Sequence, residues 1–548
     1  MRPAPHLAAA AGLAGALAFL AVAPTLASRP EVARPTPPRP PRVLLDTSYT
    51  TPKGRTIAVR AGGDFQGALE AARPGDVITL EAGAVFRGTF TLPKKAGDDW
   101  IVVRSSAPDA SLPPPGTRIT PAFAPAMATL VTPNPAQVVQ TAPGARRYRF
   151  IGIEFTVAPN VRTIRQIVAF GGLQSTLTDT PSDLVLDRCY VHGQPQGNVF
   201  RGVLLNSASS AVVDSHISEI HVAGHDSQAI LGYNGPGPFK IVNNYLEAAG
   251  ENIMFGGGEP RIPGLVPSDI EIRRNHLFKP LRWRRGEPDF VGIQWTVKNL
   301  LELKNAQRVL IEGNVLENAW AESQGGAALV LTPRNSGTAP WTVVQDVLFR
   351  NNLVRNAEGA FGGQSINYGR DSQPIRRLAI VNNLGLAISR TFFTMAIPGV
   401  PLEDFIVDHN TAVPTRQFSY DIDGVGPPAF VRFQFTNNMT GFGVYGVKFP
   451  RTTATTVEWF PHALIAGNVL IRLGEVDGRH IKRPVGPWEL RSDMFTVFPD
   501  AESVGLQPDG RLTADSPLRG TGTDRRDIGV NFAELQRALW TADLRGWR

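Results

Sequence analysis

Glu302 and Lys304 stand two residues apart in Asn299-Leu-Leu-Glu-Leu-Lys304. On an extended strand alternate side chains share a face, roughly 7 Å apart. Leu300, Glu302 and Lys304 then fall on one side, and Leu301 and Leu303 on the other. The leucine pair is expected to point inward and the charged pair outward. Such a pair is either a solvated contact worth little or a lysine base whose proton affinity is tuned by its surroundings. Other groups suited to an acidic, oxygen-rich ligand lie near. Arg201, Gln228, Glu251, Asn252, Lys298 and Asn299 stand at the mouths of successive strand-like segments, with His225-Asp226 just ahead. Asp226, Glu251 and Asn252 carry hard oxygen donors that suit Ca2+ or, equally, cap turns. His225 is a candidate general base. Arg282, Trp283, Arg284 and Arg285 offer cations for carboxylates and an indole for a sugar ring, or form an ordinary exposed loop. Trp295 and Trp320 flank the same stretch as sugar platforms or packing anchors. His221 and His225 are four apart, but not on a helix, so a helical zinc pair is not supported.

These groups need a scaffold, and the repeats supply one. The pieces VDSHISEI, VNNYLEAAG, IRRNHLFKP, IEGNVLENA, FRNNLVRNA, IVNNLGLAI, VDHNTAV, FTNNMTG and IAGNVLI share one pattern. Each is an alternating apolar segment, an Asn or a stand-in, then another alternating segment. The equivalent positions are Cys189, Ser215, Asn244, Asn275, Asn314, Asn352, Asn383, Asn410, Asn438 and Asn468, at gaps of 26, 29, 31, 39, 38, 31, 27, 28 and 30. Period-two alternation without helical stripes means strands. The gaps are too short for four-stranded propeller blades. A coil of three short strands and three turns fits them, so the fold is expected to be all-β, a right-handed parallel β-helix. Asn is expected at the sharp bend because it tolerates the left-handed region and bonds its own backbone. Cys189 lies in that column and reads as a buried small hydrophobe.

A capping helix is expected near Phe65, Leu69 and Ala72, stopped by Pro74-Gly75, with strands at Val77–Leu80 and Thr89–Leu92 covering the first open turn. The coil proper is placed at 126–475, after a cap region at 43–125. A C-terminal cap at 476–548 includes a short helix, Phe532–Ala542. The long gaps of 39 and 38 put protruding loops on the turns around 268–335, where binding surfaces are built. Arg201–Asn206, Ala229–Asn234, Asn252–Gly257 and Asn299–Lys304 align without gaps. Lys304 is then expected to share a column with Asn206 and Asn234, over room left by Gly256-Gly257-Gly258.

The composition limits the function classes. With 42% hydrophobic and 19% charged residues among 548, a large core is expected and whole-chain disorder is excluded. One cysteine excludes an intrachain disulfide framework and a thiolate metal cluster. The net charge is +7, but residues 1–42 hold five arginines against Glu31, a net +4, which leaves +3 on the other 506 residues. That is no nucleic-acid footprint. Leu7 to Ala23 is an apolar run after Arg2, ending near Thr25-Leu26-Ala27. It reads as a signal peptide over 1–27 and is too short for a membrane span. A Pro-rich extended spacer over 28–42 follows. A secreted or periplasmic protein is expected, with no membrane span once the signal is removed.

The cap helix followed by RPGDVITLEAG, the NN-x-[LIV] turns and the SP…GTG…DIG ending resemble secreted bacterial parallel β-helix proteins of the pectate-lyase-like superfamily. Residues around Lys304 also resemble the alginate lyase and chondroitinase B family. There a catalytic lysine on a strand is followed by a short turn and a strand ending in Asn, as Lys304 here precedes VLIEGN. The resemblance implies Lys304 as base, an assisting arginine on the next turn, nearest here Arg334, and calcium neutralising the substrate carboxylate. The family's Asn-Lys-Ser is Leu303-Lys304-Asn305 here, and its Arg-His-Gly is absent.

The reading is a polysaccharide lyase on a uronic-acid polymer. Lys304, Arg334, Glu302 and His225 are the catalytic candidates. Asn206, Asn234, Lys298, Arg282, Arg284 and Trp295 would bind substrate, with Ca2+ at Asp226, Glu251 and Asn252. The partner is an acidic polysaccharide rather than nucleic acid, and the chain a monomer. A glycoside hydrolase would need two carboxyl groups about 5–9 Å apart. Polygalacturonase signatures are missing, with Gly224-His225-Asp226 only a fragment. A non-catalytic binding protein is the third possibility, since function lives in sites rather than folds.

Overall fold

The computed structural model describes residues 33–367, 371–413, 418–443, 446–448, 456–472 and 494–539. The signal sequence expected at 1–27 lies outside them. The strands wind into the expected right-handed parallel β-helix. A 14-stranded parallel sheet forms one face, sheet 1, and a 24-stranded sheet folds along a corner into two more, sheets 2 and 3. One turn contributes Ser268–Arg273 to sheet 1, His276–Phe278 to sheet 2 and Leu301–Leu303 to sheet 3. The next contributes Ala306–Glu312, Val315–Ala319 and Ala327–Leu331, in parallel register. Inward Val, Ile, Leu and Phe side chains pack into one core from Val59 to Phe495, as expected of strands buried on the inner face.

The corner between sheets 1 and 2 carries the asparagine column. The Asn244 backbone N–H and its amide donate to Oδ1 of Asn275 at 3.0 and 2.9 Å. The same double bond repeats through Asn314, Asn352, Asn383, Asn410, Asn438 and Asn468. Ser215 and Cys189 hold the lower positions. Burial pushes the Cys189 thiol up to about 12, so it is an inert packing group. One expectation is corrected. The left-handed residue is not the ladder Asn but the one before it: Asn243, Arg274, Gly313, Asn351 and Asn382 have φ of 58, 55, 65, 54 and 55°. In each Asn-Asn pair the first turns the chain and the second bonds along the axis.

The helix Phe65–Ala71 caps the first turn, with Asp64 accepting from the Gly67 N–H at 2.8 Å. Phe65 packs on Phe86 and Phe90. Toward the C-terminus the chain runs back along the coil, where Val530, Leu535 and Leu539 cover Val315, Leu353 and Leu384 of middle turns on the outside of sheet 2. The C-terminal helix runs Phe532–Ala538, and residues 540–542 of the expected helix lie outside the described residues. Among the described residues no helix is long and apolar enough to cross a membrane.

The Pro-rich segment is more than a spacer. In Pro35-Thr-Pro-Pro-Arg-Pro-Pro-Arg42 only Thr36, Arg39 and Arg42 have a backbone N–H. They donate to Oδ1 of Asp404, Asp346 and Asp269 at 2.9, 3.0 and 2.8 Å. These aspartates hold left-handed positions on sheet 1, at φ 60, 56 and 60°, two turns apart. The turn after each aspartate places Arg308, Arg377 and Arg432 there, paired to Asp269, Asp346 and Asp404 at 2.7, 2.5 and 2.7 Å. Three residues of polyproline II advance about 9.3 Å, and two strand spacings about 9.6 Å. The two periods match, so each available N–H meets a carboxylate.

Candidate active site

On sheet 3 the outward residues Leu204, Leu231, Met254, Glu302, Val330, Gly362, Thr394 and Asp421 lie in one register along the axis. Leu204, Leu231 and Met254 pack on one another, so Glu302 stands where the column turns from apolar to polar. Leu301 and Leu303 point into the core as expected. Leu300, expected beside Glu302, is also in the core, because the strand begins only at Leu301.

Five charged side chains meet at this point. Lys298 Nζ lies 2.8 Å from Asp226 Oδ2 and 2.9 Å from Glu251 Oε1. Gln228 donates to Glu251 Oε2 at 2.8 Å. Glu302 hydrogen-bonds Glu251. Its Oε2 lies 3.3 Å from Lys304 Nζ and accepts from Asn299 at 3.2 Å. Two buried carboxyl groups in contact share a proton. Burial, with Glu251 beside it, raises the Glu302 carboxyl to about 7 against the pull of Lys304. Burial also acts to raise Glu251, but Lys298, then Lys304 and Gln228, outweigh it and hold Glu251 below its ordinary value. Burial alone would lower Lys298, yet Glu251 and Asp226 hold it above the usual lysine range.

The Lys304 stem runs over the glycines. A Cβ at Gly256 would lie 2.9 Å from Lys304 Cβ, and one at Gly257 would lie 3.4 Å from Lys304 Cδ. The expected room is there, and Lys304 itself occupies it. Beyond Glu302 opens a groove of about 480 Å³, lined by Asn299, Glu302, Gln324, Thr332, Arg334, Glu358, Arg390 and Asp421. The Arg334 backbone N–H donates to Lys304 O at 3.0 Å, and its side chain is exposed on the groove. Gly359 and Gly362 keep the floor low.

The structure thus gathers Glu302, Lys304, Lys298, Asp226, Glu251 and Arg334. His225 is exposed at the edge, its ring 5.8 Å from that of Phe200. Other expectations are corrected. Arg201 pairs with Gln228 and Met254 with Glu302, one residue off the gapless alignment. The two slips are opposite in sense, so the Ala229–Asn252 match holds and Leu204 still falls in register with Glu302 three turns on. The buried residues Val203, Ile230, Ile253 and Leu301 set the register, and polar look-alikes do not. Asn206 and Asn234 are fully buried turn residues. Asn206 Oδ1 accepts from the Tyr233 and Asn234 N–H groups, and Asn234 Oδ1 from that of Arg261. Neither reaches a ligand. Trp295 is 2% exposed and stacks on His221 at 3.9 Å, so it is a packing anchor. Arg282 bonds Glu219 at 2.6 Å on the outside of sheet 2, and Arg284 faces Glu287 at 3.6 Å in its own loop.

The calcium trio is not assembled. Asp226 and Glu251 both spend an oxygen on Lys298. Asn252 donates to Leu246 O and Phe278 O, and its Oδ1 accepts from Lys279. An ammonium stands where the cation was expected. Among the described residues no group of three or more His, Cys, Asp or Glu is placed to hold a metal.

Sequence reasoning missed Glu358, Arg390 and Asp421, which arrive from later turns. Carrying the register of Glu302 through Val330, Gly362 and Thr394 would have reached Asp421.

The fold and site together define a right-handed parallel β-helix with an open charged groove on sheet 3. No family model and no curated protein matches the sequence. Solved structures similar to this chain include an alginate lyase from Paenibacillus sp. str. FPU-7. It is 14% identical, with 65% of this chain and 98% of that one covered and a TM-score of 0.34. A mannuronic acid specific polysaccharide family 6 lyase from human gut microbiota is 13% identical, over 82% and 92%, with a TM-score of 0.39. The catalytic unit of a GH87 alpha-1,3-glucanase from Streptomyces thermodiastaticus strain HF3-3 is 10% identical, over 84% and 72%, at 0.43. At these values none of them bears on the reaction.

Proposed function

We propose that the protein is a polysaccharide lyase that cleaves a polymer of uronic acids by β-elimination. The observation that carries this reading is the Glu302 carboxyl. It lines an open groove, is raised to about 7, lies 3.3 Å from Lys304, and has Arg334 on the next turn. In the reaction the C5–H and C4–O4 bonds break, a C4–C5 double bond forms, and O4 leaves with a proton. The Arg334 guanidinium pairs with the substrate carboxylate and acidifies the C5 proton. Ionised Glu302 takes that proton and passes it to the departing O4. Lys304, expected as the base, acts in this reading on Glu302. Its Nζ faces Glu302 and the Met254 sulfur, at 3.6 Å, and sets how tightly Glu302 holds its proton. Lys298 keeps Glu251 ionised, so Glu302 is the one of the two carboxyls that takes up and releases a proton near 7.

Glu358 and Asp421 line the same groove, which favours hydrolysis as the second reading, with Glu302 as acid and one of them as base. The test incubates the protein with homopolyuronates, mixed acidic polysaccharides and a neutral glucan. Ultraviolet absorbance reads unsaturated ends, and a separate assay reads reducing ends. Unsaturated ends from an acidic polymer are expected. Reducing ends without them establish the hydrolase, and neither product from any polymer removes both readings.

A further inference from the structure

We propose that Arg201 and Arg165 form a second carboxylate subsite on sheet 3, so that an acidic polymer lies along the coil axis with charged residues on both sides of Glu302. This rests on the acidic-substrate reading above. Arg201 lies on the strand Asn198–Leu205, in register with Gln166 below and Gln228 above, and Gln228 is in turn in register with Glu251. It therefore begins the column that leads into the charged cluster. Arg165, one turn below Phe200, lies over that ring at 4.9 Å.

Neither guanidinium has a hydrogen bond or a carboxylate partner among the described residues, and Arg201 Nε is buried without one. Burying part of an unpaired cation is costly. Burial, reinforced by the like charge of Arg165 and opposed by Tyr233, holds Arg201 below its ordinary value. The coil shows how it treats arginines that serve the fold: Arg308, Arg377 and Arg432 each have an aspartate within 2.7 Å. Arg201 and Arg165 are denied one, in line with the groove, beside the rings of Phe200 and His225. Arg334, at the other end, likewise has no ion pair among the described residues. Along the axis alone Glu302 stands three strand spacings, about 14 Å, from Arg201 and Arg334 four, about 19 Å, and both are offset further along the strands. One sugar acid cannot meet both cations. A chain with carboxylates on several residues does, so the substrate class is a polyuronate rather than a polymer with an isolated acidic sugar.

The test measures binding of a long homopolyuronate, a short oligouronate and a neutral glucan to the full-length protein and its variants, beside turnover. Arg201→Ala is expected to weaken long-chain binding about tenfold and to flatten its salt dependence. Turnover of an oligomer too short to reach Arg201 should fall less than that of the long chain. Arg165→Ala, at an exposed position, should weaken binding several-fold without touching the melting temperature, and Arg201→Lys should recover part of the loss. Unchanged long-chain affinity in both alanine variants overturns the subsite, even where unsaturated product still forms. Conversely, Arg201-dependent binding without any unsaturated product keeps the subsite and removes the lyase. Equal binding of the neutral glucan, or no binding of any acidic polymer, removes the subsite.

Discussion

Sheets 1 and 3 both stack charged residues turn upon turn, yet they end in opposite states. On sheet 1 the column Asp269, Arg308, Asp346, Arg377, Asp404 and Arg432 alternates in sign, and each aspartate accepts from an arginine and from the Pro-rich strap. On sheet 3, Glu251 and Glu302 lie side by side between two lysines, while Arg201 and Arg334 have no carboxylate partner among the described residues. The stacking distance is the same. What differs is whether the chain itself closes the array. A closed array contributes stability, and an array left open offers its charges to a ligand and carries chemistry. Each prediction below tests one side of that contrast.

The largest effect is expected at Glu302. Glu302→Gln keeps the shape and the hydrogen bond from Asn299 but cannot take up a proton. Turnover should fall roughly 10²–10⁴-fold with no loss of melting temperature. A variant that kept full turnover would erase the chemical side of the comparison. The opposite pattern is expected at Asp346, which is 2% exposed. Asp346→Ala leaves Arg377 and the Arg39 N–H without their acceptor, and should cost about 2–4 kcal/mol in denaturant unfolding while sparing turnover.

Lys304 sharpens the first result. Its charge opposes the rise of the Glu302 carboxyl, so Lys304→Ala removes that opposition. If Glu302 is the base, kcat/KM in the native protein rises with pH through about 7, and the variant's limb moves to higher pH. A lysine acting as the base would instead lose the limb altogether. Stability follows the same group. Its folded value of about 7 exceeds the ordinary 4.5, so its contribution is full below about 4.5 and lost as pH rises through about 7. Glu302→Gln should flatten that slope, read by melting across the interval.

The coil was legible because its signals are periodic. Alternation, the Asn column and the cap helix each recur or carry a stop, and buried side chains enforce them. The inward Leu301 and Leu303, and the pairing of Glu302 with Lys304, followed from strand geometry alone. The site was less legible because its members come from turns with loops of unequal length. One residue of slip there put Asn234 level with Lys304 on paper, and Asn206, which does keep that level, is buried in a turn. Trp295 was misplaced for a related reason: an indole reads the same in a sequence whether it faces a sugar or His221. The strap was visible as composition only. Its meaning needed two periods, three residues of polyproline II and two turns of coil, that lie far apart in the chain.

The smallest effect isolates that match. Arg39 sits between Pro38 and Pro40, and its N–H donates to Asp346 at 3.0 Å. Arg39→Pro preserves the polyproline II backbone and deletes one donor, while Asp346 retains Arg377. The loss should be about 1 kcal/mol, reduced by the stiffer unfolded chain, with turnover unchanged. Hydrogen exchange on the native protein supplies the matching observation, since slow exchange is expected at Thr36, Arg39 and Arg42 together. If these amides exchange as freely as a solvated tail and the proline variant melts with the native protein, the strap closes nothing. The satisfied state of sheet 1 would then rest on its arginines alone, and the two faces would differ only in how many carboxylates each turn provides.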